Sequence, residues 1–398
     1  MTSRWLWITS EITDRLDTGG LVYSMELARS VADLGVAVTM VGLAPSDVPS
    51  APASSGGTTL RYEAVPGRPR SKIRGLVSSL PNQAFTCATR ELERRVGELL
   101  REDWDVVVFD SIRSGWAASQ REQHPAGLTV FITQNHEASF RRELVTSSPI
   151  WSARRWLLAI DTWKVVRLER RMLRISDLVT AITDADLRQF ARDAPGARHL
   201  HAPPGWNGRV SSSTSRISDR PRRVGIVGSL EWHVKQENLR RFLAVADPIF
   251  AREGIELIIG GRVPDRLRSE LEPSLKASRF VGWVDDIGDF LGQCRLGVVA
   301  EALGGGFKMK ALDYVFNGVP VASLSRCAAG LPLVGGVSMV EAPDEASLAT
   351  AIAEVIDDTE RLETFAEVAL DQSLPLFTWA GSAQRLVAAS GELREELV

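Results

Sequence analysis

The chain has 398 residues, with 47 Lys and Arg against 50 Asp and Glu, and a formal net charge of −3 that makes no general case for nucleic-acid binding. With 44% hydrophobic and 24% charged residues it is neither fibrous nor mostly disordered, and its length suggests two domains of similar size. The apolar runs have strand length, short of the ~20 residues of a membrane span, and Cys87, Cys294 and Cys327 are too scattered for a disulfide framework or metal cluster.

The N-terminus, MTSRWLWITSE, enters a buried-strand pattern at 5–10 without a signal-peptide core, so a cytoplasmic location is expected. Gly19 and Gly20 open a helix reaching Leu34, in which Leu27, Val31 and Leu34 recur at helical spacing. That glycine pair reads either as a tight turn needing positive φ or as a turn facing a ligand cleft, with Asp14 and Asp17 as acceptor-side candidates just before it. Gly35 ends the helix, 36–43 is the next strand, and the Pro/Ser/Gly-rich stretch 44–59 is an exposed loop. Further apolar runs at 105–110, 128–134 and 178–183 alternate with helical segments, the pattern of a parallel sheet covered on both faces.

The Ser- and Arg-rich stretch 207–222 has the composition of a linker. The same rhythm then restarts, with strands at 223–230, 255–261, 296–300 and 319–324, a helix at 237–250 and the segment RFVGWVDDIGDFL at 279–291. The expected organisation is an N-terminal Rossmann-like domain, 1–206, a linker, 207–222, and a second α/β domain, 223–376. A C-terminal segment, 377–398, should form a helix packing back toward the first domain. Two open α/β sheets of this kind place a ligand cleft between the carboxyl ends of their strands.

The most informative segment is EALGGGFKMKALDYVFNGVPVASL, 301–324. A strand delivers the chain into Gly304, Gly305 and Gly306, and a helix is expected immediately afterwards, with Lys308 and Lys310 in its first turn. Cations there oppose the helix dipole, so an anion such as a diphosphate should compensate them. Asp313 stands three residues beyond Lys310 on the same face, suited to accept hydrogen bonds from a ribose diol. A plain glycine loop with a solvated Lys pair is the competing reading. The segment is neither a P-loop nor GxGxxG, which weakens kinase and dehydrogenase readings.

These residues resemble the donor loop of family 4 glycosyltransferases, whose GT-B fold has two Rossmann-like domains. GFKMKALD, 306–313, and GVPV, 318–321, are similar to the signature of one branch. GSLEW at 228–232, FVGWVDD at 280–286, TQNHEASFRRE at 133–143, LERRMLRISDLVTAIT at 168–183 and FTWAGSAQRL at 377–386 fall into the family's order. Gly305 stands where many members carry the first Glu of Glu-x7-Glu, and Ser229 where a phosphate-binding Arg is common; His233 and Lys235 are the nearest cations.

The resemblance implies a metal-independent, retaining transfer from a nucleoside-diphosphate sugar, as co-substrate without a further cofactor, to an acceptor hydroxyl. The diphosphate would be held by Gly305, Gly306, Phe307, Lys308, Lys310 and Lys235, the ribose by Asp313 and the base near Gly261 and Trp283. Lys310 would stabilise the leaving charge, and His136 would stand near the donor sugar. Gly19, Gly20 and Glu137 would lie on the acceptor side. The acceptor could be a glycan, a lipid-linked saccharide or a small molecule. A nucleotide-sugar epimerase and a catalytically weak scaffold of the same fold are the alternatives.

Two further motifs compete with simpler readings. Asp184-Ala185-Asp186 spells a metal-binding Asp-x-Asp, but at a helix start it reads as a cap. Residues 141–174 carry nine basic residues against three acidic ones, interleaved with Trp151, Trp156 and Trp163. A helix with its Trp stripe buried is the first reading; peripheral contact with an anionic inner membrane face is the second. RPRSKIR, 68–74, is a second basic run, read as a loop near the acceptor.

Overall fold

The computed structural model describes residues 2–13, 18–45, 59–125, 127–146, 149, 151–208 and 216–396. Asp14, Asp17, most of the expected loop 44–59 and residues 209–215 of the expected linker lie outside them. The chain forms two compact units, Met1–Gly205 with Thr378–Val398, and Trp206–Phe377.

The first unit is built on seven strands: β1 (Arg4–Glu11), β2 (Ala37–Pro45), β3 (Leu60–Gly67), β4 (Val106–Asp110), β5 (Leu128–Ile132), β6 (Leu178–Ala181) and β7 (Arg198–His201). All pair in parallel, in the order β3-β2-β1-β4-β5-β6-β7. β4, β5 and β6 are buried at every position, which is why they read as continuous Val-, Ile- and Phe-rich runs. The final helix, Trp379–Glu396, belongs to this unit. Ser382 Oγ donates to the Pro203 carbonyl at 2.7 Å, and Trp379 meets the Tyr23 ring edge-on with centroids 5.7 Å apart. A side chain at Gly205 would stand 2.3 Å from the Trp379 nitrogen, so only glycine lets that helix dock.

The second unit repeats the layout with β8 (Arg223–Val227), β9 (Glu256–Gly260), β10 (Ser278–Gly282), β11 (Leu296–Val299), β12 (Val321–Leu324) and β13 (Met339–Ala342). The parallel order is β10-β9-β8-β11-β12-β13. In each sheet the strand order reverses once, beside β1 and β4 or beside β8 and β11, and ligand sites of open α/β sheets form at the carboxyl ends of such neighbours. Residues 217–222, expected in the linker, are held by this unit. Ile217, an apolar residue in a polar stretch, is buried in its core, and Arg220 donates to the Cys294 carbonyl at 3.0 Å. All three cysteines are free and buried. No helix among the described residues is long and apolar enough to cross a membrane.

Candidate active site

In the second unit, β11 ends at Val299 and Glu301 follows two residues later, its side chain largely enclosed. Its Oε1 accepts a hydrogen bond from Lys310 Nζ, and Lys308 Nζ stands 3.6 Å from its Oε2. Lys308 also donates to the carbonyls of Gly304 and Gly305, at 3.1 and 3.0 Å. Burial works against ionisation of Glu301, but Lys310, Lys308 and Lys235 outweigh it and hold the carboxyl down at about 2. Lys235 is pushed down by burial and then by repulsion from Lys310 and Lys308, with Glu301 opposing. Three ammonium groups therefore share one carboxylate, and the cluster keeps a positive surplus.

The loop is held by its neighbours as well as by its lysines. Asn238, buried on the helix His233–Glu253, grips the backbone of Leu303: its Nδ2 donates to the Leu303 carbonyl at 2.7 Å, and its Oδ1 accepts the Leu303 N–H at 2.8 Å. Gly304 and Gly306 have φ of +99° and +80°. That backbone keeps the chain out of helix until Lys310, so the helix is Lys310–Phe316, not one starting directly after Gly306. Lys308 precedes it, and its ammonium closes the loop instead of standing on a helical turn.

Around this loop the other strand ends are bare backbone. Gly261 has φ of +115°, and a side chain there would lie 2.1 Å from the Gly228 carbonyl oxygen. Gly228, after β8, comes close to the Lys310 ammonium. Trp283 stands exposed beyond β10, with the Arg262 guanidinium 5.1 Å from its ring centre. Asp313 is half-buried; burial pushes its carboxyl up, while a hydrogen bond from Trp206 and the charge of Lys310 oppose the rise. Trp206 Nε1 donates to Asp313 Oδ1 at 3.0 Å, and its ring stacks on Phe316 at 4.6 Å. Phe307 packs against Phe377, with centroids 5.4 Å apart. Ser229 is bonded to Glu231 at 3.2 Å, and His233 is the first residue of its helix.

The first unit's cluster is closed. The His136 ring is buried against Phe190 at 4.8 Å, with Nε2 2.9 Å from Asp193 Oδ2 and Nδ1 2.7 Å from Ser139 Oγ. The Ser139 N–H donates to Nδ1 at 3.2 Å, so the ring proton belongs on Nε2. The His136 N–H donates to Asp186 Oδ1 at 3.2 Å, and its carbonyl accepts from Phe140 at 3.1 Å. Glu169 caps the helix Glu137–Thr146, accepting the N–H groups of Glu137 and Ala138 at 2.8 and 3.0 Å. Burial pushes the Glu169 carboxyl up to about 8, partly offset by these two bonds. Every polar group of His136 is thus engaged within its own unit.

Glu137 turns into a small cavity of about 60 Å³ lined by Ser111, Arg113, Gln134 and Asn135, among others. Its carboxylate accepts from Gln83 at 3.3 Å and Arg141 at 3.4 Å. Ser111, directly after β4, has φ of +64° and ψ of 168°, a backbone region that non-glycine residues rarely occupy.

Three sequence readings of this unit are corrected. Gly19 and Gly20 do not have positive φ; they begin the helix Gly19–Asp33 behind the N-cap Thr18. A side chain at Gly20 would meet Gln134 Oε1 at 2.6 Å, so the Gln134 amide would have to move aside. In the Asp-x-Asp stretch the cap is Thr183, whose Oγ1 accepts the Asp186 N–H at 3.1 Å. The Trp stripe of 151–163 is exposed, not buried. Among the described residues no group of three or more His, Cys, Asp or Glu is arranged to hold a metal ion.

Comparison with known proteins bears on both units. Residues 221–358 match the family model for group 1 glycosyl transferases, and residues 18–206 match that of the glycosyl transferase 4-like domain. Among solved structures, sucrose-phosphate synthase from Thermosynechococcus elongatus is 16% identical, with a TM-score of 0.69 over 99% of both chains. Anabaena HepE, solved in complex with UDP and glucose, is 15% identical, with a TM-score of 0.66 over 98% of this chain and 100% of that one. A Rickettsia africae glycosyltransferase is 12% identical, with a TM-score of 0.62 over 98% of both. No curated protein sequence matches.

Proposed function

The chain belongs to the group 1 glycosyltransferases, with a glycosyltransferase 4-like first half, and from that premise we propose that it moves a sugar from a uridine-diphosphate sugar to an acceptor hydroxyl. The observation that carries the donor assignment is the positive surplus around Glu301. Lys310 and Lys235 are the cations assigned to a diphosphate, because Lys308 donates to two loop carbonyls, whereas Lys310 is held, among the described residues, by Glu301 alone. Uridine is the first base to test because HepE was solved with UDP.

In this reading the bond between the anomeric carbon and the diphosphate oxygen breaks first. Its electrons leave with the nucleoside diphosphate, where Lys310, Lys235 and the amides of Gly305, Gly306 and Phe307 receive the charge. The acceptor hydroxyl attacks the oxocarbenium-like sugar on the face the leaving group vacates, with retention of configuration, and its proton passes to the departing phosphate. Asp313 orients the ribose through the oxygen that Trp206 leaves unengaged, and Gly261 and Trp283 border the base. The lysines offset the diphosphate charge that a divalent cation would otherwise neutralise, so the transfer is metal-independent.

On the acceptor side, Glu137 and the backbone at Gly19 and Gly20 receive a saccharide or lipid-linked acceptor. His136 acts by positioning: it locks Gln134 to Glu137 against Asp186, Asp193 and Ser139.

The test is calorimetry with UDP, GDP, ADP and CDP, followed by donor turnover with UDP-sugars in EDTA. One nucleotide binding without metal, with turnover of its sugar, supports the reading. No binding by any of them sinks it.

A further inference from the structure

We infer that the first unit docks on an anionic phospholipid bilayer through the outer face of the helix Ala153–Ile175 together with the adjoining segment 73–77. The helix exposes one continuous stripe at helical spacing. Its first half is apolar: Trp156 is 70% exposed, Leu157 48%, Ile160 52% and Trp163 61%, with Trp151 ahead of them at 92%. Its second half continues in line as Arg167, Arg170 and Arg174. Buried tryptophan would need no partner, but four large apolar side chains on one exposed stripe cost free energy in water.

A second element extends the surface. Ile73 and Val77 are 78% and 91% exposed. They belong beside the stripe because Lys164, one turn after Ile160, donates to the carbonyls of Gly75 and Leu76 at 3.1 and 2.8 Å. The short helix Lys72–Gly75 also adds Lys72 and Arg74 at the same place.

Charge decides the occupant. The helix carries seven basic residues and two acidic ones, and both acids face inward. Asp161 accepts the Asn82 N–H at 2.8 Å, and Glu169 caps a neighbouring helix. Among the described residues Arg154, Arg167, Arg170 and Arg174 form no ion pair; the Arg167 guanidinium lies over the Trp163 ring at 5.8 Å. A groove of about 760 Å³ beside the stripe is lined by Arg142, Arg167, Arg170 and Arg174 against the two carboxyls of Glu169 and Asp193, so basic groups outnumber acidic ones there as well. Tryptophans suit the headgroup layer, and arginines beside them suit its phosphates. A second copy of the chain would set one strongly basic helix against another. Transfer to an acceptor in that bilayer rests on the function proposed above; the docking does not.

The experiment is vesicle flotation of the full chain, read together with tryptophan fluorescence, using phosphatidylcholine vesicles with and without phosphatidylglycerol. The wild type should float with the anionic vesicles at low salt, shift its emission to the blue, and release as salt rises. R167E/R170E/R174E should bind at least ~100-fold more weakly, since each arginine near the surface is worth about fivefold. W156S/W163S should lose the blue shift. Absence of flotation at low salt, or unchanged flotation by the arginine variant, overturns the proposal. So does self-association of the wild type that W156S/W163S abolishes, which would make a second copy the occupant. All substitutions are at exposed positions, so unchanged melting temperatures check the fold, and UDP binding by the same preparations separates failure here from failure of the donor site.

Discussion

Glu301 and Glu169 are both buried carboxyls, yet their surroundings move them in opposite directions. Three lysines hold Glu301 down at about 2, whereas Glu169, buried with two backbone N–H groups and beside the charges of Glu137 and Asp193, is pushed up to about 8. An amide can satisfy a carboxyl oxygen without supplying charge, so the Glu169 cluster is held by hydrogen bonds and carries no surplus of positive charge. Ammonium groups supply whole charges, and three of them on one carboxylate leave a surplus in a site of low dielectric. Both clusters bury ionisable groups; of the two, only the one around Glu301 holds charge in excess of its own needs.

The largest effect expected from breaking that asymmetry is at Lys310. Lys310→Ala should lower kcat by about 10²–10³-fold, the range for removing one group aimed at developing charge, and should weaken UDP binding in calorimetry. Lys308→Ala should act differently. It opens the carbonyls of Gly304 and Gly305, so the melting temperature should fall along with affinity. If both variants lose affinity equally at unchanged stability, the division of labour between the two lysines is wrong.

The lysine loop was legible because its glycines and cations are neighbours in the chain; its counterweights were not. Glu301 looks like an ordinary residue after a strand, and nothing in helical or strand periodicity ties it to Lys310. Asn238 grips Leu303 across 65 positions, a contact that spacing cannot reveal. The sheets divide in the same way. Interior strands such as β4 and β5 announced themselves as unbroken apolar runs, because both faces are covered. β3 and β7, the two edges of the first sheet, and β13, an edge of the second, went unread. LRYEAVPG and RHLH are half-exposed and mix polar with apolar residues, so they lack the signal that burial writes. The Trp helix misled for the complementary reason: its period gives one stripe, but not whether that stripe faces core or solvent.

The Glu169 side of the comparison is sharpened by pH. Its pKa rises on folding from an ordinary value near 4.5 to about 8. Between those values the folded protein keeps a proton that the unfolded chain has released, so stability should fall as pH rises through that window, by a few kcal/mol at most. Glu169→Gln should flatten this slope while keeping one of the two caps, because an amide has a single accepting oxygen where the carboxyl uses one for Glu137 and the other for Ala138. Denaturant melts of both proteins from pH 5 to pH 8 check the sign; a wild-type stability that climbs across the window contradicts it.

His136 tests whether that cluster is closed. His136→Ala leaves Asp193 and Ser139 without their partner and should cost about 1–3 kcal/mol of stability, with UDP affinity unchanged. Should kcat instead collapse while the melting temperature holds, the ring reaches the substrate and the two clusters are less different than their geometry indicates.

The mildest effect separates a charge surplus from a charge balance. With Glu301 ionised, Lys310 is shared between that carboxylate and any incoming diphosphate, so the resident carboxylate competes with the donor. Glu301→Gln keeps the shape and a hydrogen-bonding oxygen but removes the competing charge. UDP should then bind several-fold more tightly, the change expected from about 1 kcal/mol of relieved competition. Three mutually repelling lysines would be left without their carboxylate, so the unliganded protein should melt earlier and gain more from UDP than the wild type does. If UDP binds Glu301→Gln more weakly, Glu301 serves to aim Lys310 at the donor, and orientation rather than surplus charge is what the second unit contributes.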